Sequence, residues 1–146
     1  MRVIVDAYGG DNAPEAVLQG CRMAADCWKC EIILTGDGEK LRARAAELGV
    51  SLEGMTIAEA PDVFPMEAEP TAIMKQYKDS SMARGLQMLA EGGGEALVSA
   101  GSTGALIMGA TFFVKRIKGV SRAALAPLVP SDKGPFMLID SGANVE

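Results

Sequence analysis

Four times along this chain a strand-like apolar run stops at a small polar or acidic residue and opens at once into a glycine-containing loop. Val3-Ile4-Val5-Asp6 leads into Gly9-Gly10-Asp11-Asn12, and Ile32-Ile33-Leu34-Thr35 into Gly36-Asp37-Gly38. Ala96 to Ala100 runs into the richest of them, Ser99-Ala100-Gly101-Ser102-Thr103-Gly104-Ala105, and Met137-Leu138-Ile139-Asp140 into Ser141-Gly142-Ala143-Asn144. Glycine lets backbone N–H groups approach a ligand closely, and a helix that starts just afterwards adds its partial positive end. The pattern describes an anion-binding crevice, and several such loops on one sheet imply a shared ligand.

The composition narrows the fold that can carry these loops. The chain has 146 residues, enough for one compact domain with a proper core. Nearly half of them are hydrophobic but only 5% are aromatic, so the core must be built from Ala, Val, Ile, Leu and Met. With 17 glycines, this favours close helix–sheet packing in an α/β protein over an aromatic-rich sandwich. The net charge of −5 argues against nucleic acid, which needs a strongly basic face. Three cysteines, Cys21, Cys27 and Cys30, and no leader pattern after Met1 read as a cytosolic chain with reduced thiols. The mostly apolar stretch around Gly104 to Val114 is shorter than the roughly 20 residues that span a bilayer.

Periodicity then places the elements. Arg2 to Ala7 reads as a strand, and a helix starts at Pro14 and continues to about Asp26. Glu31 to Thr35 is a second strand, followed by a helix capped by Asp37 and closed by Gly49. Met55 to Ala58 is a weaker strand, after which Pro61, Pro65 and Pro70 mark an irregular loop. Ser80 or Ser81 caps a helix carrying Met82, Leu86 and Leu89, which Gly92-Gly93-Gly94 ends. Ala96 to Ala100 is the next strand, and Thr103 to Arg116 a mostly apolar helix, expected to be buried against a sheet or a partner chain. Ala123 to Val129 and Phe136 to Asp140 read as a hairpin around Ser131 to Gly134, which makes the expected sheet mixed. The chain stops at Glu146 just beyond a glycine loop, where a helix normally follows. The expectation is a single α/β domain over residues 1–146 that is the N-terminal part of a longer protein.

The chemistry available is restricted, because the chain has no histidine and cannot assemble a Ser-His-Asp or Cys-His device by itself. Cys27 and Cys30 have C-x-x-C spacing but no second metal half, so they read as structural thiols, and no metal is expected. Asp6 suits a ligand role and a structural role bonding to loop N–H groups about equally. Asp11 and Asn12 share that ambiguity, and a helix cap is the safer reading of Asn12. Lys78-Asp79-Ser80-Ser81 sets an ammonium, a carboxylate and two hydroxyls before a helix start, which alone reads as a cap. The two glycines and hydroxyls of Ser99 to Ala105 exceed what a cap requires and favour anion binding. Lys115, Arg116, Lys118 and Arg122 form one basic cluster, read as a solvated helix end, with docking to an acidic protein or an anionic membrane surface as the alternative.

With Asp6 to Pro14, Lys78 to Ser81, Ser99 to Ala105 and Asp140 to Asn144 in this order, the chain resembles the bacterial phosphate acyltransferase (PlsX) family of phospholipid synthesis. The resemblance runs end to end and covers the N-terminal half of such proteins. It implies a three-layer, Rossmann-like α/β/α sandwich of the isopropylmalate dehydrogenase and phosphotransacetylase kind, with a mostly parallel mixed sheet. It also implies transfer of a long-chain acyl group from acyl carrier protein to inorganic phosphate, with no organic cofactor. A homodimer in the cytoplasm, with peripheral membrane association, completes the implied picture. Lys78, Ser102 and Asn144 are then the expected catalytic residues. Phosphate and substrate fall to Asp6, Gly9, Gly10, Asp11, Asn12, Asp79, Ser80, Ser81, Ser99, Gly101, Thr103, Gly104 and Gly142. Ser102 stands where the family commonly has Asn, and Gln76 and Tyr77 lie in a stretch that is usually more basic. The rival readings are a short-chain phosphotransacetylase or 2-hydroxy-acid dehydrogenase of the same fold group, and a non-catalytic fragment that only binds or dimerises.

Overall fold

The computed structural model describes residues 1–139. These fall into two compact units that divide after Val114, the second beginning at Lys115. The first unit is built on four parallel strands: β1 (Arg2–Asp6), β2 (Glu31–Gly36), β3 (Met55–Glu59) and β4 (Ala96–Val98), in the order β3-β2-β1-β4. All three ladders are parallel, with Val5 opposite both Leu34 and Val98. Between the strands run α1 (Glu15–Trp28), α2 (Gly38–Leu48), one 3₁₀ turn (Pro70–Met74) and α3 (Ser81–Ala90), and β4 is followed by α4 (Thr103–Gly109).

Strand side chains alternate between two cores, as the pleat requires. On one face Val5, Ile32 and Leu34 pack with Leu18 and Cys21 of α1 and Leu41 and Ala45 of α2. On the other, Gly85 of α3 lies close to Ile4, Leu97 and Thr35. Beyond it Met82 and Leu86 join Phe64, Ile73 and Ala105 in a second cluster. Burial on both faces is why the strands of a parallel sheet read as near-continuous apolar runs.

Several helix boundaries follow the sequence signals. Asp37 Oδ1 accepts from Lys40 N at 3.1 Å, and Gly49 closes α2 at φ +67°. Ser80 is the cap of α3, its Oγ accepting from Ala83 N at 3.3 Å. Other boundaries differ. Pro14, not Asn12, occupies the cap position of α1 and no side chain caps it; Asn12 instead offers its carbonyl to Ala16 N at 3.0 Å. The expected Thr103 to Arg116 helix is α-helical only to Gly109 and continues as a π-type turn over Ala110–Val114. Of these residues only Ala105 and Gly109 are buried, although Leu106, Met108 and Phe113 pack on the second cluster. β4 stops two residues earlier than expected, which frees Ser99 and Ala100 for the loop.

In the second unit the hairpin is present as a two-stranded antiparallel ladder of its own, β5 (Leu128–Val129) with β6 (Phe136–Met137). Gly134 N donates to Ser131 O at 3.0 Å, closing its turn at a Gly134 φ of +108°. Leu138 N also donates to Pro127 O at 3.0 Å, so the pairing takes in only the adjoining ends of the two expected runs; Asp140, the expected end of the second, lies outside the described residues. Among the described residues no helix is long and apolar enough to cross a membrane.

Candidate active site

β1 and β4 are adjacent and parallel, so their carboxyl ends deliver Asp6 and Ser99 to the same edge of the sheet. Asp6 is buried, and a buried carboxylate requires hydrogen-bond donors. It receives the Ser99 hydroxyl on Oδ2 at 2.7 Å and Tyr8 N on Oδ1 at 3.3 Å. Ser99 Oγ in turn accepts from Gly101 N at 3.1 Å. This relay ties the loop after β1 to the loop after β4. It fulfils the structural alternative for Asp6.

The clamp leaves no room for side chains at the crossing. A Cβ on Gly9 would sit 2.6 Å from Asp6 Oδ2, 2.7 Å from Ser99 Oγ and 2.9 Å from Gly101 N. Gly10 adopts φ +103°, which residues with a side chain rarely do. The two glycine loops therefore approach each other backbone to backbone.

Beside this crossing is a cavity of about 180 Å³. Asp6, Gly9, Gly10, Ser81 and Gly101, all expected from the sequence, lie along it, together with Tyr8 and the segment Val63 to Met66. Ser81 begins α3 and its N–H is held by Asp62 O at 2.9 Å, in line with the parallel bridge between Asp62 and Ser80. In the sequence Val63 to Met66 is legible only as part of a proline-marked loop; within it Phe64 is buried against Tyr77 with ring centroids 5.2 Å apart, whereas Val63 and Met66 are exposed.

Other expected site residues lie outside that lining. Lys78 and Asp79 are exposed, and the Lys78 carbonyl accepts from Gln87 Nε2 at 3.0 Å. Asp11 and Asn12 are exposed in the turn before α1, and Thr103 is exposed at the start of α4. Ser80 Oγ is committed to its cap, and Ser102 Oγ accepts from Ala105 N at 3.4 Å in the same manner. Gly104 packs against Pro70. Gly142 and Asn144 lie outside the described residues.

The second glycine loop is filled by the protein itself. Glu59 Oε2 accepts from Gly38 N at 3.0 Å, and Asp37 takes Lys40 N and the Lys40 ammonium, the latter at 2.7 Å. These bonds hold the Asp37 carboxyl below its usual range. The Tyr8 phenol is pushed up from its ordinary value by burial and then by Asp37, with Lys40 opposing. Two carboxylates at the start of α2 leave its donors no demand for an outside anion. Of the three glycine loops within the described residues, the pair after β1 and β4 is the one that borders the cavity.

The family model described as "Fatty acid synthesis protein" matches residues 1–146. The chain belongs to that family. Among curated members, a putative phosphate acyltransferase of Clostridium perfringens is 44% identical over the whole chain, which covers 43% of that relative. The phosphate acyltransferases of Clostridium acetobutylicum and Pelotomaculum thermopropionicum are 42% and 43% identical, with 44% and 42% of their lengths covered. This member of the fatty acid synthesis protein family thus spans less than half the length of the curated relatives it matches. In structure it is similar to the EutD phosphotransacetylase of Staphylococcus aureus, with a TM-score of 0.66 at 21% identity, covering all of this chain and 47% of that one. That likeness establishes the Rossmann-like α/β fold.

Proposed function

We propose that this chain carries the phosphate-handling part of a phosphate acyltransferase, which moves an acyl group from acyl carrier protein to inorganic phosphate. The observation that carries this reading is the Asp6–Ser99–Gly101 relay, which fixes two glycine loops against each other beside a small cavity. The names of the curated relatives support it. In the proposed reaction a phosphate oxygen attacks the thioester carbonyl carbon. The new C–O bond replaces the C–S bond, and the carrier thiolate leaves with the proton that phosphate gives up. Phosphate is a competent nucleophile near neutral pH, so positioning and charge neutralisation suffice without an imidazole from this chain. The Gly10 N–H, the Ser102 N–H and the Ser81 hydroxyl bind phosphate, while the Gly9 and Gly101 N–H groups, given to Asp6 O and Ser99 Oγ, hold the two loops in place around it. Asp6 does not compete as a bare charge, because Ser99 and Tyr8 N are bonded to it. Lys78 and Ser102 are proposed to supply positive charge and an oxyanion donor, with Asn144 and Gly142 completing the substrate contacts. The same reading includes a homodimer in the cytoplasm with peripheral membrane contact.

Titration of the ¹⁵N-labelled chain with inorganic phosphate tests the site directly. Saturable shifts of the Gly10 and Ser102 amides are expected; a shift at neither overturns the assignment. Assays of the family-length protein with acyl carrier thioester and with acetyl-CoA decide the substrate: acyl phosphate from the carrier thioester is expected, and acetyl phosphate alone makes it a short-chain phosphotransacetylase.

A further inference from the structure

The cavity beside the glycine crossing has a lining of two unlike kinds. The glycines of both loops and Ser81 bring backbone and a hydroxyl to it, whereas Val63, Phe64, Pro65, Met66 and Met82 add an apolar stretch without a charged side chain. Phe64 is 7% exposed and Met82 1%, so these two belong to its depth. Val63 and Met66 border the same cavity at 44% and 50% exposure, which places them at its rim. Single exposed apolar residues are ordinary on a protein surface. What sets this pair apart is that both stand where the glycine loops open.

The segment that carries them is pinned on both sides. Asp62 O accepts from Ser81 N at 2.9 Å, the Phe64 ring meets Tyr77 edge to face, and Ala68 N donates to Pro65 O at 3.2 Å. Phe64 is thus the inward anchor of a fixed apolar rim. A ligand that matches this lining has an anion at one end and hydrocarbon at the other. At about 180 Å³ the cavity takes a phosphate and the carbons next to it, since pockets that enclose a whole drug-sized ligand run to about 300–1,000 Å³. A longer chain leaves across the rim, where the unbranched thioether of Met66 can follow its shape.

We infer that Val63 and Met66 are the specificity-determining rim over which an unbranched acyl chain leaves the phosphate cavity, and that their contact favours chains of more than a few carbons. The inference rests on the proposed reading of this cavity as a phosphate site, and its test separates the two. Inorganic phosphate and ethyl, butyl and hexyl phosphate are titrated into the 146-residue chain carrying ¹⁵N amides and ¹³C methionine methyls, with Met66 assigned through Met66→Ser. All four should shift the Gly10 amide, and only butyl and hexyl phosphate the Met66 methyl. Affinity should rise with chain length by up to about fourfold for each methylene that leaves water. In Val63→Ser and Met66→Ser, both at exposed positions, the ratio of hexyl to ethyl phosphate affinity should fall several-fold. A Gly10 response to inorganic phosphate combined with chain-length-independent affinity, a silent Met66 methyl or an undiminished ratio in both variants overturns the inference and leaves the phosphate reading standing. No Gly10 response to inorganic phosphate overturns that reading and the inference with it.

Discussion

The Ser99 hydroxyl donates to the buried Asp6 carboxylate at 2.7 Å, joining residues 93 apart in sequence. Removing one partner of a buried hydrogen bond to a charged group costs about 1–3 kcal/mol, because the other is left unsatisfied. Ser99→Ala strips both the donor to Asp6 and the acceptor for Gly101 N, so its urea midpoint should fall by that amount of stability. In the family-length protein acyl-phosphate formation should fall as well, while Ser99→Thr, which keeps the hydroxyl, should restore most of both. Equal stability and activity of Ser99→Ala and the parent would show that the relay does not organise the loops.

Two glycine replacements should act in opposite directions. Gly9→Ala drives a methyl group into Asp6, Ser99 and Gly101 and must force the loops apart. Its melting temperature should drop, and the phosphate-induced amide shifts should vanish. Gly20 lies within α1 with nothing within 4 Å of its would-be Cβ, so Gly20→Ala should stabilise the 146-residue chain by about 0.4–1 kcal/mol. Thermal melts of the two variants beside the parent decide both points.

Ser80 is fully buried and serves α3 as its cap. Ser80→Ala should cost about 1 kcal/mol, and Ser80→Gly only a few tenths, the usual order for cap replacements. Denaturant unfolding measures the difference; a larger loss for glycine would mean that Ser80 acts through packing instead.

Burial, joined by the neighbouring Cys30, pushes the Cys21 thiol up to about 11 from 9.0. Between these values the unfolded chain has lost a proton that the folded chain keeps. Folded protein then binds more protons, so this contribution to stability is intact below pH 9 and is lost as pH rises toward 11. Urea midpoints measured from pH 8 to 11 should decline, and less steeply in Cys21→Ala. At pH 8 a thiol reagent should label exposed Cys27 well before Cys21.

What could be read in advance was what depends on neighbours in sequence. The strands through Asp6 and Thr35, the Asp37 and Ser80 caps and the Gly49 stop all follow from local period and side-chain chemistry. Asn12 looked like a cap by the same local rule, but the turn through Ala13 puts Pro14 at that place and leaves Asn12 only its carbonyl to offer. The π-type turn after Gly109 and the early end of β4 are set by packing and by the Ser99 hydrogen bonds, which no window of sequence contains. The site divides the same way. Its glycines and Asp6 were visible, whereas Val63 to Met66 reach the cavity only because Asp62 pairs with the start of α3.

Glu59, whose carboxylate accepts from Gly38 N, comes from the end of the neighbouring strand, not from the loop it satisfies. The sheet thus carries its own counter-ion at one socket, supplied in cis and immune to dilution. A stray metabolite anion meets competition there from a tethered rival, and the chain's selectivity among repeated look-alike turns is written in where its acids are anchored.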